Sequence, residues 1–393
     1  MYTRETFDVL ITRVIERDVT NEELIHKLLL FEENSDQLDE GRVFNIYHGL
    51  DHLFCIDGDN QDLERAFAYN QKAEALIEER SDIDKAKHFF TKGHIYARRD
   101  DYPKSKEAFI KYVYYRHKDG SDFSTQTPVD ISRNSRVNEF GQTFYSFRTV
   151  NKYMLSDLIN QEITLANPNE FNDPFDPLLF KFLELHRERI LKESHYDIRS
   201  LCDAYKCINI RCFVRDLNTD AGKAELAHEN NLMWAHYADS FKGICILYRF
   251  STFIKDSQIP EKEFCSWHDV EYPPILIFKD EVSASAQYLF ATKHEKWRYE
   301  KEVRLIHFKT DRDEKFTHIP LSKLGGKIEA VFFGLRCPEK DIKTIKSILG
   351  ADVEYLEFEK EVKPNTEIDK LELVNPDKFN DLNKTNMIGF KRQ

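Results

Sequence analysis

Over the first 118 positions, apolar residues recur at helical spacing. Leu24, Leu28 and Leu29 form one stripe, and Thr20-Asn21-Glu22-Glu23 ahead of them has the composition of a capping box, predicting a helix that starts near residue 21. Ser81 and Asp84 make a shorter box ahead of DKAKHFFTKGHIYARRDDYPKSKEAFIKYVYYR, which predicts two helices broken at Asp100-Asp101. Positions 119–140 lose this periodicity and gather Ser, Thr, Asn, Asp and Pro, so they read as a linker. Beyond them the pattern shortens to period two or to brief apolar runs. TFYSFR, EITLA, CINIRCFV, GICILYRF, PILIF, EVRLIHF and IEAVFFGL read as strands, with helices at YMLSDLI and EKDIKTIKSIL. Few helices separate consecutive strands, so the expected class is α+β, with a mixed, mainly antiparallel sheet. The division is 1–118 helical, 119–140 linker, 141–362 α+β and candidate catalytic, and 363–393 a peripheral, charged tail.

Composition narrows the options. The 393 residues carry a net charge of −12, so diffuse neutralisation of phosphate is not the business of the surface, and no strong non-specific nucleic-acid binding is expected. The aromatic share of 13% is too high for a disordered chain. The first residues lack a signal-peptide pattern and no long apolar run follows, so no membrane association is expected. The seven cysteines lack paired spacing and read as reduced thiols of a cytoplasmic protein. Cys202, Cys207 and Cys212 do not share a strand face, and Cys265-Ser266-Trp267-His268 has no partner pair, so no metal is expected. There is no phosphate-binding glycine loop and no nucleophile elbow.

Two resemblances follow from particular residues. The segment holding Gly93, Tyr96, Tyr102, Ser105 and Phe109 resembles a tetratricopeptide repeat, with small residues where two helices touch and an aromatic opposite. Such a hairpin needs stacked neighbours to bury its apolar faces, and Gly49 lies 44 positions before Gly93, longer than the usual repeat. The repeat resemblance implies docking of a protein partner. An ordinary helical bundle would carry the same stripe.

The second half holds FNDPF at 171–175, MWAHYAD at 233–239 running into KGICI, and W-x-YE-x-E-x-R from Trp297 to Arg304. Together these resemble a widespread bacterial domain family of unknown function, over about residues 142–350. Glu300-x-Glu302 ahead of a strand is also similar to the catalytic turn of ADP-ribosyltransferases. That likeness implies NAD as substrate, with Glu302 holding the ribose and stabilising the ribosyl cation while Glu300 orients the acceptor. It also implies Arg148, at the end of TFYSFR, as a grip on the phosphate or ribose. Ser146 stands where the bacterial domain family of unknown function often carries a basic residue. Trp234 and Tyr237 would stack on the rings, His236 would act as donor or acid–base group, and Asn172, Asp173, Trp297 and Arg304 would line the site.

The same residues have plainer readings. Asn172-Asp173-Pro174 is turn chemistry, Trp234 and Trp297 suit a core, and Glu302 with Arg304 or Arg298 would make a surface ion pair. Adjacent carboxylates at 300 and 302 should raise one pKa unless Arg298 or Arg304 sits close. A non-enzymatic interaction module and a Mg²⁺ nuclease using Asp173, Asp176, Glu300 and Glu302 are the other classes. A helical repeat joined to such a domain suggests an effector in bacterial conflict or phage defence.

Overall fold

A computed structural model describes residues 3–15, 20–56, 61–118, 142–194, 199–218, 224–250, 263–273, 290–309, 314–358 and 390–392. The 119–140 linker, PILIF and most of the 363–393 tail lie outside the described residues. The last described residues are not peripheral: they pair with the sheet as its edge strand.

The N-terminal segment is built of helices α1 (Arg4–Ile15), α2 (Asn21–Glu32), α3 (Glu40–Ile56), α4 (Leu63–Glu74), α5 (Asp82–Arg98) and α6 (Tyr102–Lys118). Both caps form: Thr20 Oγ1 accepts from the Glu23 amide at 3.2 Å, and Ser81 Oγ from the Asp84 amide at 3.2 Å. Each satisfies a first-turn donor that the helix cannot. The close approach of α5 and α6 depends on Gly93, where an added Cβ would stand 2.7 Å from the Phe109 ring. Ser105 Oγ crosses the same contact to the Gly93 carbonyl at 2.8 Å. Gly93→Leu is therefore expected to force α5 and α6 apart at a cost of about 1–3 kcal/mol; thermal unfolding of the variant checks this, and an unchanged midpoint would contradict the packing.

The rest of the chain folds around one ten-stranded, mainly antiparallel sheet, giving an α+β architecture. Its strands are β1 (Gln142–Arg148), β2 (Glu162–Ala166), β3 (Ile208–Val214), β6 (Ile244–Phe250), β7 (Glu263–Asp269), β8 (Glu302–Lys309), β9 (Phe316–Pro320), β10 (Gly326–Phe333), β11 (Glu354–Phe358) and β12 (Phe390–Arg392). Strands β4 (Leu217–Asn218) and β5 (Ala224–Glu225) form a separate small pair. Helices α7 (Lys152–Asn160), α8 (Leu178–Ser194), α9 (Arg199–Tyr205), α10 (Asn231–Tyr237) and α11 (Glu339–Leu349) fill the connections. β10 and β11 pair in parallel, with α11 between them in sequence.

One feature of the sheet creates the site. β3 is paired along its whole length with β8 on one edge, from Ile208↔Phe308 to Val214↔Glu302. On the other edge it meets β1 only at Tyr145↔Val214 and β2 only at Ala166↔Ile210. Strands β1 and β2 thus part like a fork along β3, and Arg211, Cys212 and Phe213 face the opening.

The helical segment is not a detached unit. One apolar core runs from Phe89, Phe109 and Tyr112 through Phe180, Leu201 and Tyr205 to Ile210, Ile306 and Phe308 of the sheet. Helix α9 is the bridge, and its first residue, Arg199, lies over the Tyr102 ring of α6, 4.6 Å from the centroid.

Candidate functional site

The fork opens into a cavity of about 470 Å³, within the range of about 300–1,000 Å³ usual for small-molecule sites. Its walls come from β1 through Arg148, from the FNDPF turn through Asn172 and Asp173, and from α10 through Tyr237. Trp297, Glu300 and Glu302 close the far side. Seven of the ten residues singled out in the sequence thus line one space, though they come from segments more than a hundred positions apart.

Three do not. Trp234 is fully buried, donates from Nε1 to the His228 carbonyl at 2.7 Å, and stacks on Phe241 at 5.9 Å. It is a core residue beneath α10, because the helix turns it inward and Tyr237 toward the cavity. His236, on the same helix, is exposed, with Nδ1 2.9 Å from the Tyr299 hydroxyl, and does not line the cavity. Arg304 is fully buried behind the wall, where it holds the carboxylates in place.

The acidic end is a closed network. Arg304 Nε donates to Glu302 Oε1 at 2.6 Å, Nη2 to both Asp176 oxygens at 2.6 and 2.8 Å, and Nη1 to the Phe290 carbonyl at 2.6 Å. Lys293 Nζ reaches Glu300 at 2.5 Å, Glu302 at 3.1 Å and Asp176 at 3.4 Å. Tyr237 donates its hydroxyl to the other Glu300 oxygen at 2.5 Å. The expected surface ion pair is therefore a buried one, with Glu302 only 4% exposed, while Arg298 lies outside and donates to the Tyr272 carbonyl.

The two glutamates meet at the Lys293 ammonium, and the backbone between them turns. Glu300 ends a short 3₁₀ turn, Lys301 takes a left-handed φ of 48°, and Glu302 is the first residue of β8. That turn and the ammonium of Lys293 bring the carboxylates together.

Three carboxylates facing two cations leave one negative charge in excess, and the titration divides accordingly. Burial raises Glu300, Lys293 opposes it and Glu302 adds to it, and the group is pushed up to about 7. Burial also works against ionised Glu302, but Arg304 and then Lys293 outweigh it and hold that carboxyl well below its usual range. Burial raises the Cys212 thiol, and Glu302 raises it further, so it stays protonated in the cavity wall. Glu300 is thus the group poised to exchange a proton near neutrality, and Glu302 is a fixed charge.

At the fork end, Arg148 Nη1 pairs with Asp157 at 3.3 Å, and Thr164 Oγ1 donates to Asp157 at 2.5 Å. Asp173 Oδ1 accepts from the Phe175 amide at 2.9 Å, so it builds the turn while also lining the cavity. Sequence reasoning missed Arg211 and Lys293. The signal for Arg211 was a lone cation inside the apolar run CINIRCFV; for Lys293 it was only proximity to Trp297, whose ring lies 5.0 Å from Nζ. Asp157, Glu162 and His318 bring one ligand atom each within 4.8 Å of one another, but Arg148 already occupies Asp157.

Residues 233–305 match a family model described as Protein of unknown function (DUF2971). The match begins inside α10, takes in β6, β7, Lys293 and the acidic turn, and ends inside β8; the description carries no activity. No curated protein and no solved structure matches the chain. Among the described residues no helix is long and apolar enough to cross a membrane.

Proposed function

We propose that the chain is an NAD-using, ADP-ribosyltransferase-like enzyme, an effector of bacterial conflict or phage defence, whose tetratricopeptide-like helical hairpins dock a protein partner. The observation that carries this reading is one cavity lined by Arg148 at its fork end and by Glu300 and Glu302 at its acidic end. A ligand with an anionic diphosphate and a cationic pyridinium matches both ends. In the reaction the bond between ribose C1′ and the nicotinamide nitrogen breaks, its electron pair leaves with nicotinamide, and positive charge grows on the ribosyl group. Glu302, permanently ionised, faces that charge. The acceptor's lone pair then bonds to C1′, and its proton passes to Glu300. Tyr237 and Trp297 flank the acidic end and limit water.

The Mg²⁺ nuclease reading loses ground to the same geometry. Asp176, Glu300 and Glu302 already satisfy Lys293 and Arg304, and a divalent cation would have to displace both.

The test is incubation with labelled NAD and cell lysate, following transfer of label and loss of NAD. The acceptor proton requires ionised Glu300, and a pKa raised to about 7 means that this form accumulates as pH rises through that value. The rate should therefore climb between about pH 6 and 8 and level off above, and Glu300→Gln should abolish the climb. A flat profile in the wild-type enzyme would remove Glu300 from the role of base.

A further inference from the structure

At the fork one cation lacks an anion. Arg211 stands midway along β3, where β1 and β2 have parted, and lines the cavity. Its Nη2 donates to Ser146 Oγ at 2.5 Å, and among the described residues its buried Nε has no hydrogen-bond partner. Among the described residues no carboxylate lies within ion-pair distance of it. Burial and the neighbouring Arg148 cation lower its pKa to about 10, which leaves it charged at neutral pH. Two guanidiniums here face one carboxylate, Asp157, whereas at the opposite end three carboxylates face two cations.

A half-buried, under-paired guanidinium whose Nε is shut off from water is destabilising in the absence of a ligand. Its planar edge presents parallel donors that suit two oxygens of one anion. Arg148 approaches from β1 and Arg211 from β3, so a ligand meeting both must spread negative charge over several oxygens. Ser146, two positions before Arg148 on β1, accepts from Arg211 and lines the same cavity.

We propose that Arg211, with Arg148 and Ser146, forms a diphosphate-binding subsite in the sheet fork. It rests on the transferase reading only for the identity of the molecule that carries the diphosphate. Arg211 binds and positions; it takes no part in bond breaking.

The experiment is calorimetric titration of the full chain with inorganic pyrophosphate, ADP-ribose and adenosine, in parallel with thermal unfolding. Pyrophosphate and ADP-ribose should bind and adenosine should not; pyrophosphate alone would identify a free polyphosphate as the source. Arg211→Met should weaken pyrophosphate and ADP-ribose binding by about tenfold to a hundredfold, the worth of one charged contact. Its ligand-free melting temperature should hold or rise, because an under-paired, half-buried cation is gone. Arg211→Lys keeps the charge, loses the planar edge, and should fall between. A wild-type chain that binds neither phosphate compound overturns the subsite. So do Arg211 variants that bind as wild type does, or an Arg211→Met chain that melts lower with its affinity intact. If Arg211→Met does not fold, the Arg211→Lys affinity decides: wild-type affinity there overturns the subsite and weakened affinity supports it. ADP-ribose binding without NAD turnover removes the transferase and leaves the subsite; NAD turnover unchanged by Arg211→Met, with no phosphate binding, does the reverse.

Discussion

Arg304→Met is expected to destabilise the protein by about 3–5 kcal/mol, the cost of stripping a counter-ion from buried carboxylates. Arg304 is fully buried and supplies both the Nε contact to Glu302 and the paired contacts to Asp176. Without it, Lys293 alone must serve Asp176, Glu300 and Glu302, and the Phe290 carbonyl loses its donor. Methionine fills most of the space, so lost packing contributes little and the charge imbalance dominates. Urea unfolding measures the loss. Adding Asp176→Asn and Glu302→Gln to the same chain should recover part of it, because removing a whole buried ionic network is less costly than breaking one. A single variant within about 1 kcal/mol of wild type would mean that the network is solvated after all.

Glu302→Gln is expected to lower NAD turnover by about 10²-fold or more, the usual cost of losing one transition-state charge. The wild-type carboxylate is held ionised against burial by Arg304 and Lys293, so the amide removes a charge present throughout the neutral range. This variant should also melt lower, unlike a change at an exposed carboxylate, because both cations lose a buried partner. Its second signature is on Glu300: with the Glu302 charge gone, one cause of the raised pKa disappears, and the inflection in any residual activity should move below about 7. Turnover normalised to folded protein separates chemistry from stability. Full turnover by folded Glu302→Gln would remove Glu302 from the mechanism.

Much of the frame was legible because it is local. EITLA is β2 residue for residue, with its inward positions Ile163 and Leu165 set by alternation, and Thr20 and Ser81 marked two helix starts through hydrogen bonds three residues long. The missed elements carry weaker local signals. Strand β7 shows in the sequence only as an isolated Cys265–His268 pair, yet it pairs throughout with β8. Helix α10 shows in the sequence as an aromatic patch, and its spacing does not reveal the helical turn that sends Trp234 and Tyr237 to different surroundings.

Short-range neighbours are written in the chain: the Glu300–Glu302 spacing, the turn at Asn172-Asp173, the strand carrying Arg148, and the glycine that lets α5 and α6 touch. Which of them share a space, and what charge each meets there, comes from the fold. Asp176 and Arg304 are 128 positions apart yet bonded at 2.6 Å, and Arg211 stands under-paired where β1 and β2 separate along β3. The physical reason is one of range. Periodicity and capping act through bonds to residues a few positions away, whereas burial and Coulomb interactions depend on distance in space, which the chain's path alone creates.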